Sequence, residues 1–402
     1  MVTERAYWLA WSKVKQVGPV AIKRLWEHFG SLAVAWRASA GDLLAVDGIG
    51  LLIAERIAAQ RPQLNPEALL AQHEKENKAF WTPADADYPA LLFAINDPPP
   101  VLYYHGDLRL SNLGRLSVGI VGTRSPSAYG KRWTHSLAAR LAQEGAVIVS
   151  GLAQGIDTYS HESCLQAGGL TVAVVGTGVD RVYPAQNVGL HRQIVEQGLV
   201  LSEYPDGTGP DRKHFPQRNR IIAGLSRATL VMEAPVKSGA LITARLANDY
   251  CREVYALPCS LDNEKGLGCL QVISQGAQMI LGKQALVDAL AALPPVNVVR
   301  PALADGNCGW DGEDNAAILP EGAFAEALSL PEKLTPLQPV PVPELSPLLK
   351  KVLDAVSIEP VPLDQIVPLA QTNVGEVLGA LTQLEILGLV AQVAGGTQYQ
   401  RA

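Results

Sequence analysis

The chain has 402 residues, of which 48% are hydrophobic, and carries a net charge of −6 at pH 7. A chain of this length and composition can bury a large core and form several domains, which excludes disorder throughout. It contains no apolar run near the roughly 18 residues needed to span a bilayer. Because charges are also mixed into its first residues, we expect a soluble, cytoplasmic protein without a membrane partner. Its five cysteines form no Cys-x-x-Cys pair, so we expect neither a disulfide framework nor a metal site.

The acidic average hides an uneven distribution of charge. Residues 211–245 hold seven Lys/Arg and two Asp/Glu, whereas residues 286–402 hold five Lys/Arg and fourteen Asp/Glu. Such asymmetry predicts a polyanion site in the middle of the chain and an acidic tail beyond it.

The first 75 residues are predicted to form a helical domain. Two glycine turns, at 17–20 and 46–50, each lead into an amphipathic pattern, which is typical of paired helix-hairpin-helix or SAM-like units. Such hairpins can direct backbone N–H groups at DNA phosphates, and Lys23, Arg24 and Arg56 could assist them. The alternative is a small helical bundle in which the glycines only make tight turns.

The next two segments differ sharply in pattern. Residues 76–107 are rich in proline and predict an extended connector, since each proline removes a backbone donor and restricts its predecessor. Residues 108–285 alternate short apolar runs with helical patterns, which predicts a doubly wound, Rossmann-like α/β domain with a parallel sheet covered on both faces. The predicted strands are Ser117–Val121, Ala146–Ser150, Thr171–Gly176, Leu199–Glu203, Ala228–Glu233 and Glu253–Pro258.

The C-terminal part divides into two further segments. Residues 286–344 are acidic and rich in Pro and Ala, which predicts a linker. Residues 345–402 predict three helices, at 347–356, 363–370 and 374–387, followed by two short strands around Gly395-Gly396. That order is typical of a winged-helix domain.

The first strand of the α/β domain ends in a glycine-rich turn at 122–130. Free N–H groups and the positive end of a helix dipole at such a turn can bind an anion. The turn is not G-x-G-x-x-G, and no phosphate-binding G-x-x-x-x-G-K-[ST] loop is present. The second strand also ends in Ser150-Gly151 where a dinucleotide binder has an acid for the ribose. We therefore predict no NAD, no NTPase activity and no cofactor.

A second glycine-rich turn, at 150–157, follows the second strand. We expect the two glycine turns to lie side by side at the carboxyl edge of the parallel sheet. Folds of this kind bind their ligands at that edge. Asp157 is most simply a helix cap and His161 a residue on the helix face. A catalytic role for the two is the alternative.

The segment 211–224 places one aromatic ring, Phe215, among four basic side chains. Single-stranded nucleic acid is bound by this mixture, because cations hold the phosphates while a ring stacks on a base. The alternative is a solvated basic loop with Phe215 buried in the core.

Six long motifs between about residues 85 and 282 make the chain resemble the DprA/Smf family of DNA-processing proteins. They occur in the family's order and spacing: GTRSPSAYG, SGLAQGIDTYSH, GTGVDRVYPAQN, LSEYP, HFPQRNRIIAGLS and KSGALITARLA. The resemblance implies a non-catalytic protein that binds single-stranded DNA and dimerises through its Rossmann-like domain. It further implies that the protein protects incoming DNA and delivers the RecA recombinase to it during natural transformation of competent cells.

The resemblance also implies a set of DNA-binding positions. The family's phosphate pocket corresponds to Gly122, Thr123 and Arg124 with the backbone of Gly151 and Gly155. Its other positions correspond to the basic contacts Arg212, Lys213 and Lys237, the stacking ring Phe215, and the signature residues Arg218, Asn219 and Arg220. Whether the signature residues contact DNA or brace the loop is left open by the sequence.

The chain departs from the family's sequence pattern at two positions, and one alternative function is considered beside DNA binding. The family's Pro-Gly after the last strand is Pro258-Cys259 here, and Leu270 replaces the usual Asn or His. The alternative is a nucleotide phosphoribohydrolase on a related fold. Its Pro-Gly-Gly-x-Gly-Thr motif and following Glu are replaced by Lys237-Ser238-Gly239-Ala240. The chain therefore has no evident residue at this place to act as general acid or base. Release of free base from nucleoside monophosphates would distinguish the enzyme from the binding protein.

Overall fold

A computed structural model gives the fold of most of the chain. It describes residues 2–77, 79–106, 116–294, 346–357, 361–370, 372–386, 389–392 and 398–401. They belong to two compact units, one within residues 1–319 and the other within 320–402. Most of the predicted linker and the predicted Gly395-Gly396 turn lie outside the described residues. No helix in the described part is long and apolar enough to cross a membrane.

The N-terminal residues form six helices around a buried α1. Their bounds are α1 Glu4–Ser12, α2 Pro19–Phe29, α3 Leu32–Arg37, α4 Ala40–Leu43, α5 Leu51–Gln60 and α6 Pro66–Glu76. Gly18 and Gly50 immediately precede α2 and α5 as their N-caps, as the two predicted turns require. Trp11 of α1 is fully buried and packs edge-on against Trp36 at 5.1 Å between ring centroids.

Two of the three cations assigned to these turns make internal contacts. Lys23 Nζ donates to the carbonyl of Ile95 at 2.8 Å. Arg24 Nη1 donates to the carbonyl of Asp47 at 3.1 Å and pairs with its carboxylate at 3.0 Å. Arg56 is exposed and has no ion pair within the described residues. The contacts of Lys23 and Arg24 therefore favour the bundle interpretation over phosphate binding.

Nine strands form one mixed sheet. Their bounds are β1 Phe80–Trp81, β2 Leu102–Gly106, β3 Ser117–Val121, β4 Val147–Ser150, β5 Thr171–Val175, β6 Leu199–Ser202, β7 Ala228–Val231, β8 Glu253–Ala256 and β9 Gln278–Met279. The order across the described sheet is β1-β2-β6-β5-β4-β3-β7-β8-β9, and the neighbours from β6 to β9 are parallel. The predicted Rossmann-like parallel sheet is confirmed, and its six predicted strands are all present.

One edge of the sheet comes from the segment that was expected to be only an extended connector. β2 pairs antiparallel with β6, and β1 pairs antiparallel with β2. Between them lies the short helix α7, Ala90–Phe93. The prolines around residue 99 suggest irregular structure, but they precede β2 and leave its ladder intact, since proline is excluded only where a strand needs the N–H.

Helices cover both faces of the sheet. Their bounds are α8 Ala128–Gln143, α9 Ile156–Gln166, α10 Val188–Gln197, α11 His214–Leu225, α12 Gly239–Asp249, α13 Leu267–Ser274 and α14 Lys283–Ala291. In β4, Val147 and Val149 join the core beneath α11 and α12, whereas Ile148 joins the core beneath α8 and α9. Successive side chains of a strand point to opposite faces, so both faces of the sheet are buried.

The second compact unit has the element order of a winged helix. Its elements are α15 Pro347–Asp354, β10 Val361–Pro362, α16 Leu363–Ala370, α17 Val374–Ile386, β11 Val390–Gln392 and β12 Gln398–Arg401. The strands pair antiparallel in the order β10-β12-β11. Val352, Ile366 and Leu384 are fully buried in its core. The three predicted helices are all present within two residues of their expected ends.

The packing of α11 against the segment that was predicted to be a connector gives a stability test. A Cβ at Gly224 would lie 2.9 Å from Leu92 Cδ1 and 3.0 Å from Ile95 Cγ2. Overpacking costs about 1–3 kcal/mol, so Gly224→Ala should lower the free energy of unfolding in urea. Gly189 of α10 has open space at the same position. Gly189→Ala should therefore raise stability by up to about 1 kcal/mol. A neutral Gly224→Ala would contradict this close packing.

Candidate nucleic-acid interface

The carboxyl edge of the parallel strands gathers the candidate residues. The chain runs from β3 outward to β6 and then returns to place β7 on the other side of β3. Ligands of open α/β sheets bind outside the carboxyl ends of the strands where the order reverses. Here the loops after β3, β4, β5, β6 and β7 share that edge. They contain all the predicted DNA-binding positions that lie outside α11.

The two predicted glycine turns contact each other through their backbones. Ile156 N donates to the carbonyl of Thr123 at 3.2 Å. Gly155 has φ +89°, and a Cβ there would collide with that same carbonyl and with the backbone of Arg124. Only glycine fits such a close approach in the left-handed region. The turns after β3 and β4 therefore form one surface, as the pocket predicted for Thr123, Arg124 and Gly155 requires.

The start of α8, where the first glycine turn was expected to bind an anion, already holds a carboxylate of the protein. Glu233, which is 1% exposed, accepts bonds at 2.7 Å from both the backbone N and the Oγ of Ser127. Its carboxylate also accepts from Asn263 Nδ2 at 3.0 Å, and its backbone carbonyl accepts from Thr123 N at 2.6 Å. Glu233 therefore takes the place of an external anion at the end of α8 and holds the loop of Arg124, so a phosphate at this turn would have to be bound on the side of Arg124 and Gly155.

Phe215 lies at the centre of the candidate site. The ring is half-buried and packs over Gly176 after β5, where a Cβ would lie 3.2 Å from Phe215 Cδ1. Arg124 Cζ lies 6.0 Å from the ring centroid. The exposed ring of Tyr183 lies 5.4 Å away, centroid to centroid. Phe215 is therefore neither a fully buried core residue nor an isolated surface ring.

Tyr183 is a candidate that sequence reasoning missed. Its motif was recognised, but no chemistry was assigned to the ring, because nothing in the spacing shows that residues 183 and 215 meet. Glu233 was missed for the same reason. The available signal was an acidic residue directly after a buried strand at the point where the strand order reverses.

Four of the predicted cations are free to meet a ligand. Arg124, Arg212, Lys213 and Lys237 are all exposed. None of them forms an ion pair with a carboxylate anywhere in the described ranges. Arg212 and Lys213 stand directly before α11, while Lys237 stands in the loop between β7 and α12. Of these four cations, Arg124 lies 6.0 Å from the Phe215 ring, and Arg212 and Lys213 precede Phe215 by three and two residues in the chain.

Arg218 is a predicted DNA contact that the structure buries. It is 5% exposed, and its Nη1 donates to the carbonyl of Val174 at 2.6 Å. The guanidinium occupies the space that a side chain on Gly151 would need. Burial raises the pKa of the nearby Asp157 carboxyl, and the charge of Arg218 opposes that rise. Arg218 thus braces the second glycine turn from below.

Arg220 is likewise engaged inside the protein. Its side chain is 10% exposed; Nη2 pairs with Glu203, and Nε lies 3.4 Å from Asp97. Tyr250 Oη donates to the same Asp97 carboxylate at 2.7 Å. Burial raises the pKa of Glu203, and Arg220 counteracts it. The charge of Arg220 is therefore neutralised by the carboxylates of Glu203 and Asp97, which favours the bracing role among the two that the sequence left open.

The remaining signature residue and the two possible catalytic residues have structural partners. Asn219 is half-buried, and its Nδ2 donates to the carbonyl of Gly239 at 3.3 Å, which ties α11 to the start of α12. His161 is fully buried, and burial lowers its pKa to about 3. Asp157 does not cap α9 as predicted: the N-cap is Gly155 and Asp157 lies inside the helix, where its carboxylate accepts from the backbone N of Ala153 at 3.3 Å. Neither Asp157 nor His161 reaches the surface of the candidate site.

Comparison with known proteins identifies the family. Residues 79–291 match the family model described as DNA recombination-mediator protein A, and residues 336–396 match that of the DprA winged helix domain. The chain is 48% identical to Protein Smf of Synechocystis sp. over 406 aligned residues, which cover 99% of both chains. The chain belongs to the DprA/Smf family. It is also 44% identical to DNA processing protein DprA of Bacillus subtilis over 52% of this chain and 70% of that one.

A solved DprA structure supports the same conclusion for the fold. The X-ray structure of DNA processing protein A from Streptococcus pneumoniae aligns with a TM-score of 0.61 at 35% identity, covering 71% of this chain and 98% of that one. The Rossmann-like domain and the C-terminal winged helix of this DprA/Smf protein are therefore shown by family models and structure together.

Both departures from the family pattern lie near the β8 end of the edge. Cys259 is half-buried, and its Sγ packs where a side chain on Gly266 would lie. Burial raises the pKa of its thiol, and the nearby Glu233 adds to the rise. Leu270 lies on α13, half-buried. Within the described residues no group of three or more His, Cys, Asp or Glu side chains is arranged to hold a metal ion.

Burial divides the basic residues of the signature into two experimental classes. Arg220→Met should leave the carboxylates of Glu203 and Asp97 without their cation, and breaking a buried ion pair costs about 3–5 kcal/mol. Arg212→Ala removes an exposed side chain and should change the free energy of unfolding by less than about 0.5 kcal/mol. Urea unfolding of the two variants measures the difference. If Arg220→Met were as stable as the parent, the buried ion pairs would not be holding α11.

Proposed function

We propose that this DprA/Smf protein binds single-stranded DNA and thereby serves DNA processing in natural transformation. The observation that carries the proposal is the half-buried ring of Phe215, which has Arg124 Cζ 6.0 Å from its centroid and the exposed, unpaired Arg212 and Lys213 directly before its helix, at the carboxyl edge of the sheet. Cations that neutralise phosphates and a ring that stacks on a base together make a binding site for a single strand.

The preference for a single strand follows from the position of the ring. A ring that is half-buried beside Tyr183 and Arg124 can stack only on a base that is free of its partner strand. In a duplex both faces of each base are already stacked, and their edges alone are offered in the grooves. A site built around Phe215 therefore favours unpaired DNA.

The electrostatics of α11 favour an anionic ligand. Arg212 and Lys213 precede the helix, at the end where the helix dipole is itself positive. Asp211 lies beside them, and its Oδ1 accepts from the backbone N of Lys213 at 2.8 Å. One carboxylate does not balance two cations and a dipole end, so a bound phosphate would relieve their mutual repulsion.

Within this proposal the predicted positions take two roles. Gly122, Thr123 and Arg124 with the backbone of Gly151 and Gly155 would hold a phosphate. Arg212, Lys213 and Lys237 would hold others, and Phe215 would stack. Arg218, Asn219 and Arg220 are positioning residues in the proposal, because their side chains bond inside the protein.

The remaining partners are proposed from the family membership. The matching family model is described as a recombination mediator, which supports loading of RecA onto the bound strand for homologous recombination and a cytoplasmic location for that work. We also propose a non-catalytic role rather than phosphoribohydrolase activity. The burial of Asp157 and His161 supports this, since neither could reach a substrate at the site.

We further propose that the protein is a homodimer through the β9 edge of its sheet. Both residues of β9 are exposed, and the apolar side chains of Met279 and Leu281 are 45% and 81% exposed. An unpaired edge strand with apolar neighbours is a template for pairing with another chain.

The dimer proposal is tested at Leu281. Leu281→Asp places a charge in the proposed interface and should convert the dimer to a monomer at micromolar concentration, as measured by light scattering. Val34→Asp is the matched control, because Val34 is also an exposed apolar residue, 51% exposed, but lies on the N-terminal helix α3. A parent protein that is monomeric, or a Leu281→Asp variant that stays dimeric, would contradict this interface.

The single-strand proposal is tested by separating stacking from charge in one loop. Phe215→Ala should weaken binding of a single-stranded oligonucleotide by roughly 1–3 kcal/mol and leave the salt dependence nearly unchanged, because no ion is lost. Lys213→Ala should instead reduce the slope of log K against log salt by about 0.7, the value for one phosphate of a single strand.

The controls for this pair are duplex DNA and thermal melting. Blunt duplex of the same sequence should bind more weakly to the parent protein. If Phe215→Ala lost about 3–5 kcal/mol of stability, as for a core cavity, its binding loss would reflect unfolding. A folded variant with full affinity would show that the ring does not contact DNA.

A further inference from the structure

A second basic surface lies beside the candidate site, on the first turns of α8. Residues 122–143 contain four Lys/Arg and no Asp/Glu. Among these, Lys131 and Arg132 are exposed and form no ion pair with any described carboxylate. Lys265 joins them from the loop before α13, where its Nζ donates to the carbonyl of Ser125 at 3.0 Å. A hydrogen bond to a carbonyl leaves its charge uncompensated.

Aromatic rings accompany these cations. Lys131 Nζ lies 4.7 Å from the ring centroid of Tyr159, and Arg132 Cζ lies 5.9 Å from that of Tyr129. Both rings are half-buried. Tyr129 Oη donates to the carbonyl of Pro258 at 3.0 Å, which fixes the ring at the wall of a cavity of about 420 Å³. Lys131, Arg132, Lys265, Tyr129 and Tyr159 are called the α8 patch below.

The α8 patch is continuous with the candidate site. Ser125, whose carbonyl binds Lys265, follows Arg124, which faces the ring of Phe215. On the other side, Tyr159 stands one turn into α9, directly after the second glycine turn at Gly155. A strand that leaves the pocket between the two glycine turns therefore meets cations and rings on α8 without crossing an acidic surface of that helix.

The start of α8 does not itself explain this concentration of positive charge. At its N-terminal end, Ser127 N donates to the Glu233 carboxylate and Gly130 N donates to Ser127 Oγ, so the protein's own carboxylate already lies at this helix end. Lys131 and Arg132 are the fourth and fifth residues of α8, and no described carboxylate neutralises them. Phosphates of a bound strand would supply that neutralisation.

We propose that the α8 patch binds the continuation of the single strand held around Phe215, with Lys131, Arg132 and Lys265 on phosphates and the rings of Tyr129 and Tyr159 offered to bases. This inference rests on the proposed function and extends it to a longer site. Oligonucleotides that fill only the Phe215 site would not use the patch, whereas longer ones would.

The test compares two lengths of oligothymidylate, about 6 and about 20 nucleotides, of which the short one lies within and the long one exceeds the known single-strand site sizes of about 4–16 nucleotides. The variant is Lys131→Gln with Arg132→Gln. For the long oligonucleotide its salt slope should fall by about 1.4, the value for two phosphates, so the variant's loss of affinity relative to the parent should be roughly 25-fold larger at 0.1 M salt than at 1 M. Binding of the short oligonucleotide should be unchanged.

Two controls separate a local effect from net charge. Arg192→Gln with Lys283→Gln removes the same charge from exposed positions on α10 and α14, and should leave both lengths unaffected. Lys131→Arg with Arg132→Lys keeps the charge and should keep the slope. Melting midpoints of all variants verify that they fold.

The outcomes distinguish this inference from the function on which it rests. Unchanged long-oligonucleotide binding in the Lys131→Gln, Arg132→Gln variant would overturn the α8 patch while leaving the Phe215 site intact. Equal losses for both lengths, or in the Arg192→Gln, Lys283→Gln control, would also overturn it. If the parent protein bound neither oligonucleotide, the proposed function itself would fail.

Discussion

The candidate site depends on one buried cation, the guanidinium of Arg218. It bonds to the carbonyl of Val174 on β5 and fills the space beside Gly151 after β4. Helix α11 is thereby held against two neighbouring strand ends, and Phe215, one turn earlier on the helix, is held over Gly176. An isolated buried charge is costly, and the nearby Asp157 carboxylate compensates Arg218. Replacing the glycine or the arginine would move the ring from the cations around it.

The basic residues of this segment are separated by burial into charges that hold the fold and charges that can meet a ligand. Arg218 and Arg220 are buried, and their carboxylate and carbonyl partners lie within the protein. Arg212 and Lys213, a few residues away, are exposed and unpaired among the described residues. The boundary between exposed and buried cations lies where α11 begins. The helix directs one of its sides toward the sheet, whereas the loop before it lies at the surface. Only some of the cations in this basic segment therefore contribute to a positively charged surface.

The N-terminal helices and the segment predicted to be a connector pack against α11 from its other side. Arg220 pairs with Asp97, and Lys23 of α2 bonds to Ile95 two residues before it. Trp26 packs edge-on against Phe93 at 5.3 Å. Residues of the N-terminal helices, the connector and α11 thus share one hydrophobic core. Their physical contribution is to fix α11, whatever further contacts their exposed residues make.

The sequence by itself determined the class of fold and the family. Six apolar runs of strand length with helical patterns between them specify a parallel sheet, because period and length depend on local residue order alone. Six motifs in register identified the DprA/Smf relationship. The same reasoning located Phe215 among cations. It assigned β2 to an extended connector outside the sheet, since the prolines before the strand outweigh its few residues in any local pattern.

Only the tertiary structure decided which of these residues serve the surface. The carboxylates that neutralise Arg220, at positions 97 and 203, are distant from it in the chain, and so is Glu233, which closes the start of α8. The meeting of Tyr183 with Phe215 and of Lys265 with Ser125 likewise joins separate loops. Burial and charge compensation arise from such long-range contacts. They depend on the order of strands in the sheet, which local sequence patterns do not encode.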